Sequence, residues 1–158
     1  ARSSGAIDTV ATVGICDVFP GAVNSIPARV RLSVDIRDTN LERRDRVIKT
    51  FEEVCRATSA KRRVEIRSEL VNADAPAESG PAIVAALRKA CEKHSFPFLT
   101  MTSRAYHDSL FISRIAPIAM LFIPCRNGYS HRPDEYAAPE DIARGALVLA
   151  ETLAMLAE

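Results

Sequence analysis

The residues best suited to chemistry lie near the end of the chain, in Gly128-Tyr129-Ser130-His131-Arg132-Pro133-Asp134-Glu135-Tyr136. They follow an apolar run, Ile118 to Ile123, that predicts a strand covered on both faces. A histidine just past such a strand stands where open α/β sheets place ligands and metals. Asp134 and Glu135 follow closely enough to orient its imidazole. His131 cannot hold a metal alone, because metal sites draw on three or more protein ligands. The others would have to come from outside this chain.

The chain has three histidines. His94 falls at the end of a predicted helix and reads as a solvated residue. His107 shares the setting of His131: a strand-to-helix junction with an acid, Asp108, beside it. A lone loop histidine reads as surface, but two at equivalent edges of one sheet balance the site and surface readings. The chain carries no G-x-S-x-G elbow, no phosphate-binding glycine loop and no H-E-x-x-H helix.

The elements that must position these residues follow from periodicity. Asp8 to Phe19 reads as a strand, broken by Pro20-Gly21. Val30, Leu32, Val34 and Ile36 then alternate with Arg31, Ser33, Asp35 and Arg37, the two-residue period of a half-buried strand. The two predict an antiparallel hairpin with a long loop. Thr39-x-x-Glu42 fits a capping box, and Val47, Ile48, Phe51, Val54 and Cys55 recur at helical spacing. Val64, Ile66 and Leu70 alternate again and predict a third strand. Strand, strand, helix, strand is the later part of a ferredoxin-like unit.

Residues 72–76 read as a linker. Beyond them Ser79-Gly80-Pro81 opens a helix carrying Ile83, Val84, Leu87, Ala90 and Cys91. A short strand over residues 98–102 and a short helix from Ala105 to Arg114 follow. Pro139 opens a last helix, with Ile142, Ala146, Leu149, Leu153 and Leu156 on one stripe. The fold class is α/β in two parts.

Composition sets the bounds. The 158 residues are 47% hydrophobic and 26% charged, as in a soluble globular protein. Its 21 basic and 20 acidic side chains leave a formal charge of +1, without the basic stripe of a nucleic-acid binder. No apolar run approaches the ~20 residues of a membrane span. Cys16, Cys55, Cys91 and Cys125 form no CxxC pair and read as buried free thiols. Ala1-Arg2-Ser3-Ser4-Gly5 is no signal peptide, and the chain reads as a piece of a longer protein.

Four motifs in order carry a resemblance: Gly21-Ala22-Val23-Asn24-Ser25-Ile26-Pro27, Asp35-Ile36-Arg37-Asp38, Tyr106-His107-Asp108-Ser109 and Ser130-His131-Arg132-Pro133-Asp134-Glu135. Together they resemble the C-terminal part of the amidohydrolase family of allantoate amidohydrolase, ureidoglycolate amidohydrolase and N-carbamoyl amino acid hydrolases. The resemblance implies a catalytic domain with two divalent metal ions, manganese first, zinc or another ion as the alternative. It implies a ferredoxin-like lid that forms a homodimer. Residues 1–73 would be the second part of that lid, and residues 74–158 the C-terminal part of the catalytic domain.

By the same resemblance His131 is the last metal ligand. Asn24 and Arg37 are lid residues that bind the substrate, the arginine by clamping its carboxylate. Tyr106 and His107 contact the carboxylate end. Taken singly, Asn24 reads as a turn residue, Arg37 as a strand-end charge and Tyr106 as packing. No catalytic base is assigned within these residues; it is expected upstream. Ser103-Arg104-Ala105-Tyr106-His107-Asp108 departs from the glycine-rich G-A-G-H-D of allantoate hydrolases and carbamoylases and resembles the plant ureidoglycolate branch. Tyr106 would narrow the pocket. The implied reaction is hydrolysis of the ureido amide of ureidoglycolate, releasing ammonia and leading to glyoxylate, with allantoate or an N-carbamoyl-L-amino acid as the alternative substrate. A non-catalytic dimerisation or regulatory module is the reading from a different class. Neither nucleic acid nor membrane is an expected partner. A plant-like protein would reside in the endoplasmic reticulum, any other in the cytoplasm.

Overall fold

The computed structural model describes residues 8–157, so the reading of residues 1–5 lies outside it. The architecture is mixed α/β, as the sequence predicts, and it divides into two compact units, one reaching Pro76 and one starting at Ala77.

In the first unit β1 (Val10–Phe19) pairs antiparallel with β2 (Arg29–Arg37), placing Val13 opposite Val34 and Cys16 opposite Leu32. The register shifts between Val13 and Ile15, so Gly14 is the extra residue of a bulge. The loop between the strands closes where the Ala28 N–H donates to the Phe19 carbonyl at 2.8 Å. The alternation in β2 buries only part of its apolar face. Val34 and Ile36 are half-buried, whereas Val30 and Leu32 stay 51% and 53% exposed.

Helix α1 (Leu41–Arg62) packs against β2. Its cap sits one residue later than the capping box predicts. Asn40 is the N-cap, its Oδ1 accepting from the Arg43 N–H at 2.8 Å. Asp38 explains the shift. Its carboxylate accepts from Arg43 Nε at 2.7 Å, the Thr9 hydroxyl at 2.5 Å and the Asn40 N–H at 2.9 Å, which fixes the chain just before Asn40. Arg44 is buried and reaches the carbonyls of Ala73 and Asp74, tying the helix to the linker.

The second unit rests on α2 (Pro81–Lys93) and α4 (Pro139–Ala157). Pro81 at the first helical turn needs no hydrogen bond for its missing N–H, and Gly80 caps the helix. Ala90, Cys91 and Val148 form the core between the two helices, with Leu87, Phe96 and Met155 around it. Thr152, 2% exposed, turns its hydroxyl back to the Val148 carbonyl at 2.7 Å. Short α3 (Ser109–Ile112) and a 3-10 turn over Arg126–Gly128 lie between α2 and α4.

Several elements differ from the expectations. The predicted strand at Val64, Ile66 and Leu70 joins no ladder among the described residues, nor do residues 98–102 or 118–123. A two-residue period makes a strand only where a neighbour accepts its hydrogen bonds, and here β1 and β2 pair with each other alone. Residues 118–123 are also not covered on both faces, since Leu121 and Phe122 are 38% and 50% exposed. The helix predicted from Ala105 is confined to Ser109–Ile112. The stripe of α4 faces outward: Ile142, Leu149, Leu153 and Leu156 are exposed, and Val148, Thr152 and Met155 pack inward. All four cysteines are free as predicted, but only Cys91 is buried.

Candidate functional site

In the first unit Asn24 sits at the exposed tip of the β1–β2 loop, in the turn where the Ser25 N–H donates to the Ala22 carbonyl at 3.3 Å. That tip presents a short amide to solvent on a turn anchored by paired strands. Arg37, the last residue of β2, projects on the same face as Asp35 because the two are one strand period apart. Its Nε donates to both Asp35 carboxylate oxygens at 3.0 Å, and its Nη2 to Oδ2 at 2.5 Å. These bonds hold the Asp35 carboxyl below the usual carboxylate range and push the guanidinium further up. The Nε–Nη2 edge of the planar fork thus already holds one carboxylate, that of Asp35.

In the second unit the loop before α3 carries Tyr106 and His107. Tyr106 stands edge-on to Phe111 at 5.9 Å between centroids, and Phe111 also lies under the Arg114 guanidinium at 5.0 Å. The aromatic ring at position 106 is thus half packed and half exposed. His107 is tilted against Phe122 at 5.9 Å. Its Nε2 lies 2.6 Å from the Ser103 hydroxyl, a partner that sequence reasoning missed. Asp108, the expected neighbour, instead occupies the N-cap position of α3. The spacing Ser103-x-x-x-His107 was the available signal, but four residues of loop fix no geometry by themselves.

His131 lies on an exposed turn shaped by a run of left-handed residues, with φ near +56° at Asn127, +66° at Gly128 and +58° at His131. Left-handed backbone is strained for a residue with a Cβ, though histidine tolerates it better than most. Glu135 holds the turn: its Oε2 accepts the His131 backbone N–H at 2.8 Å. Arg132 grips Asp134 through two bonds of 2.8 and 2.9 Å and lies over the Tyr129 ring at 3.8 Å. Arg126 lies over the Tyr136 ring at 4.3 Å, and its backbone N–H donates to the Tyr136 carbonyl at 2.8 Å, closing the loop around His131. The two carboxylates expected to orient the imidazole thus do something else. Asp134 pairs with arginine, and Glu135 fixes the main chain.

The His131 ring has no hydrogen bond, ion pair or ring partner among the described residues. A neutral imidazole on a pinned turn is a fitting single donor for a divalent ion. Among the described residues no three His, Cys, Asp or Glu gather as a metal site, so His131 could be only one ligand of such a set. His94 departs from the solvated reading. It stacks on Phe96 at 5.5 Å and meets Glu151 at 3.4 Å, while Lys93 binds the same carboxylate at 2.7 Å. It is a structural link between α2 and α4.

Residues 5–155 match the family described as Peptidase family M20/M25/M40. The chain is 47% identical over 154 residues to the ureidoglycolate hydrolase of Arabidopsis thaliana, covering 97% of this chain and 32% of that protein. It is 38% identical to the N-carbamoyl-L-amino-acid amidohydrolase of Pseudomonas sp. (strain NS671), covering 92% of this chain and 35% of that one. Among solved structures, AtUAH in complex with glyoxylate superposes with a TM-score of 0.91 at 46% identity, over 98% of this chain and 37% of that one. The chain therefore spans about a third of the length of these relatives.

Proposed function

Because the chain belongs to Peptidase family M20/M25/M40, we propose that it works within a subunit of its relatives' length as part of a metal-dependent amidohydrolase acting on ureidoglycolate. The reaction is hydrolysis of the ureido amide, which releases ammonia and leads to glyoxylate. The observation that carries the reading is the identity contrast: 47% to a ureidoglycolate hydrolase against 38% to a carbamoyl amino acid amidohydrolase. Tyr106 supports it chemically. A ring half packed on Phe111 at this position narrows the space for a substrate's second arm.

In this reading His131 supplies one ligand to the metal centre, its turn held by Glu135. When bound, divalent metal polarises the scissile carbonyl and lowers the pKa of water. Arg37 takes the substrate carboxylate, and Asn24 donates its amide to polar substrate atoms where negative charge develops. Tyr106 and His107 meet the carboxylate end from the catalytic side. Residues 1–73 belong to the lid and residues 74–158 to the catalytic domain. The outward apolar face of α4, with Ile142, Leu149, Leu153 and Leu156, supports a surrounding domain, since a surface of that kind marks an interaction site.

The test is an ammonia-release assay of the full-length protein with manganese on ureidoglycolate, allantoate and an N-carbamoyl-L-amino acid. Ureidoglycolate is expected to give the highest kcat/KM. Faster turnover of allantoate would overturn the assignment, and no turnover of any ureide would favour a module without catalysis.

A further inference from the structure

The Ser103–His107 contact lies in the proposed substrate loop and has no role yet. Its atoms are 2.6 Å apart and part-buried, and Phe122 stands against the imidazole. The proton on this contact can be placed by counting donors and acceptors. The Ser103 hydroxyl oxygen also faces the Ala105 backbone N–H at 3.4 Å. That N–H can only donate, so the oxygen accepts there. Were His107 Nε2 protonated, the oxygen would accept a second bond, and the hydroxyl proton would have no acceptor among the described residues. The arrangement that pairs the hydroxyl proton within the protein has the Ser103 O–H donating to an unprotonated Nε2. In a neutral imidazole the proton then sits on Nδ1, where His107 has no partner among the described residues.

We propose that Ser103 is a positioning residue: its hydroxyl fixes His107 in the Nδ1–H tautomer and leaves that N–H as a neutral donor for a carboxylate oxygen of the substrate. The proposal rests on the reading above that His107 meets the carboxylate end. A neutral donor gives a carboxylate a directed hydrogen bond without adding a positive charge. Phe122 packs beside the ring, and Ser103 decides which nitrogen carries the proton.

The experiment uses the full-length protein with 15N-labelled histidine, glyoxylate as the probe, and the variants Ser103→Ala and Ser103→Thr. In the wild type the His107 ring is expected to show a protonated Nδ1, with signals that move when glyoxylate is added. Ser103→Ala should release the ring into mixed tautomers, and glyoxylate affinity should fall roughly two- to fivefold, in proportion to the share of rings no longer in the binding tautomer. On ureidoglycolate the same variant should raise KM more than it lowers kcat, as loss of a ground-state contact does. Ser103→Thr keeps the hydroxyl and should restore both tautomer and affinity, which a role in packing alone would not produce. A His107 signal that glyoxylate moves but Ser103→Ala leaves in its wild-type tautomer would overturn this inference and spare the reading beneath it. A His107 signal that glyoxylate never moves would overturn the substrate contact itself, and the proposal with it.

Discussion

At the scale of single residues, side chains singled out in the sequence are already paired with their neighbours. Arg37 shows the pattern. Its guanidinium is held flat against Asp35, at the exposed end of a strand. An exposed pair of this kind contributes at most about 1 kcal/mol to stability, so its presence is better explained by orientation than by folding. Arg37→Ala is therefore expected to raise KM for ureidoglycolate by roughly 10- to 100-fold, the loss of a charged hydrogen bond, while the thermal midpoint moves by no more than a few degrees. Steady-state kinetics together with a melting curve check this. A KM within twofold of wild type would remove the clamp role. Glu135 illustrates the same economy of means at His131, where the carboxylate secures a left-handed turn instead of the ring the turn presents.

At the scale of elements, two local devices decide how helices begin and how closely they approach. Asp38 gathers Thr9, Asn40 and Arg43 at the start of α1, with its side chain shielded from water. Bonds from Arg43 first, then Thr9 and Asn40, hold its carboxyl well below the usual carboxylate range. A carboxyl depressed by folding adds stability above its unfolded value of about 3.9, and that stability is lost as pH falls toward the folded value. Asp38→Asn should thus destabilise the protein by about 2 kcal/mol at pH 7, and the gap to wild type should close below about pH 4. Urea denaturation across that range is the measurement, and a gap that stays constant with pH would refute the assignment. Gly145 sets the second distance. A Cβ there would lie 2.5 Å from the Ile123 Cγ2. Alanine normally favours a helix interior over glycine by roughly 1 kcal/mol, yet Gly145→Ala is expected to destabilise by about 1–3 kcal/mol because a branched side chain must shift. A stabilised variant in the same denaturation assay would show that α4 can move away from Ile123 without cost.

At the scale of the whole molecule, the chain buries few large apolar side chains for its size. The core of the second unit is made of Ala90, Cys91 and Val148, and no large side chain is fully buried among the described residues. The strands and α4 leave Val13, Ile15, Leu32, Leu149 and Leu153 about half exposed. Such surface is costly in water at about 25 cal/mol per Å². In the proposed subunit, the lid also forms a homodimer. The full-length protein is accordingly expected to sediment as a dimer in analytical ultracentrifugation at micromolar concentration. A monomer with full activity would separate the lid's substrate contacts from any role in association.

The sequence by itself determined the three long helices and the hairpin. Each depends on a local rule: Pro81 and Pro139 open helices, a two-residue period pairs β1 with β2, and a loop between strands exposes Asn24. Only the tertiary structure decided which surfaces and partners those elements use. Periodicity marks Ile142, Leu149, Leu153 and Leu156 as an apolar face, but the neighbour that α4 meets is α2, and it meets Val148, Thr152 and Met155 instead. Alternation marks Val64, Ile66 and Leu70 as a strand, but a ladder needs a second chain segment beside it. Proximity in sequence placed Asp108, Asp134 and Glu135 beside the histidines. The folded backbone then gave those carboxylates other positions, with a left-handed turn at His131 fixed by Glu135, and brought Ser103 to His107. Hydrogen-bond partners are chosen by direction as much as by distance along the chain, and direction is set only once the backbone has folded.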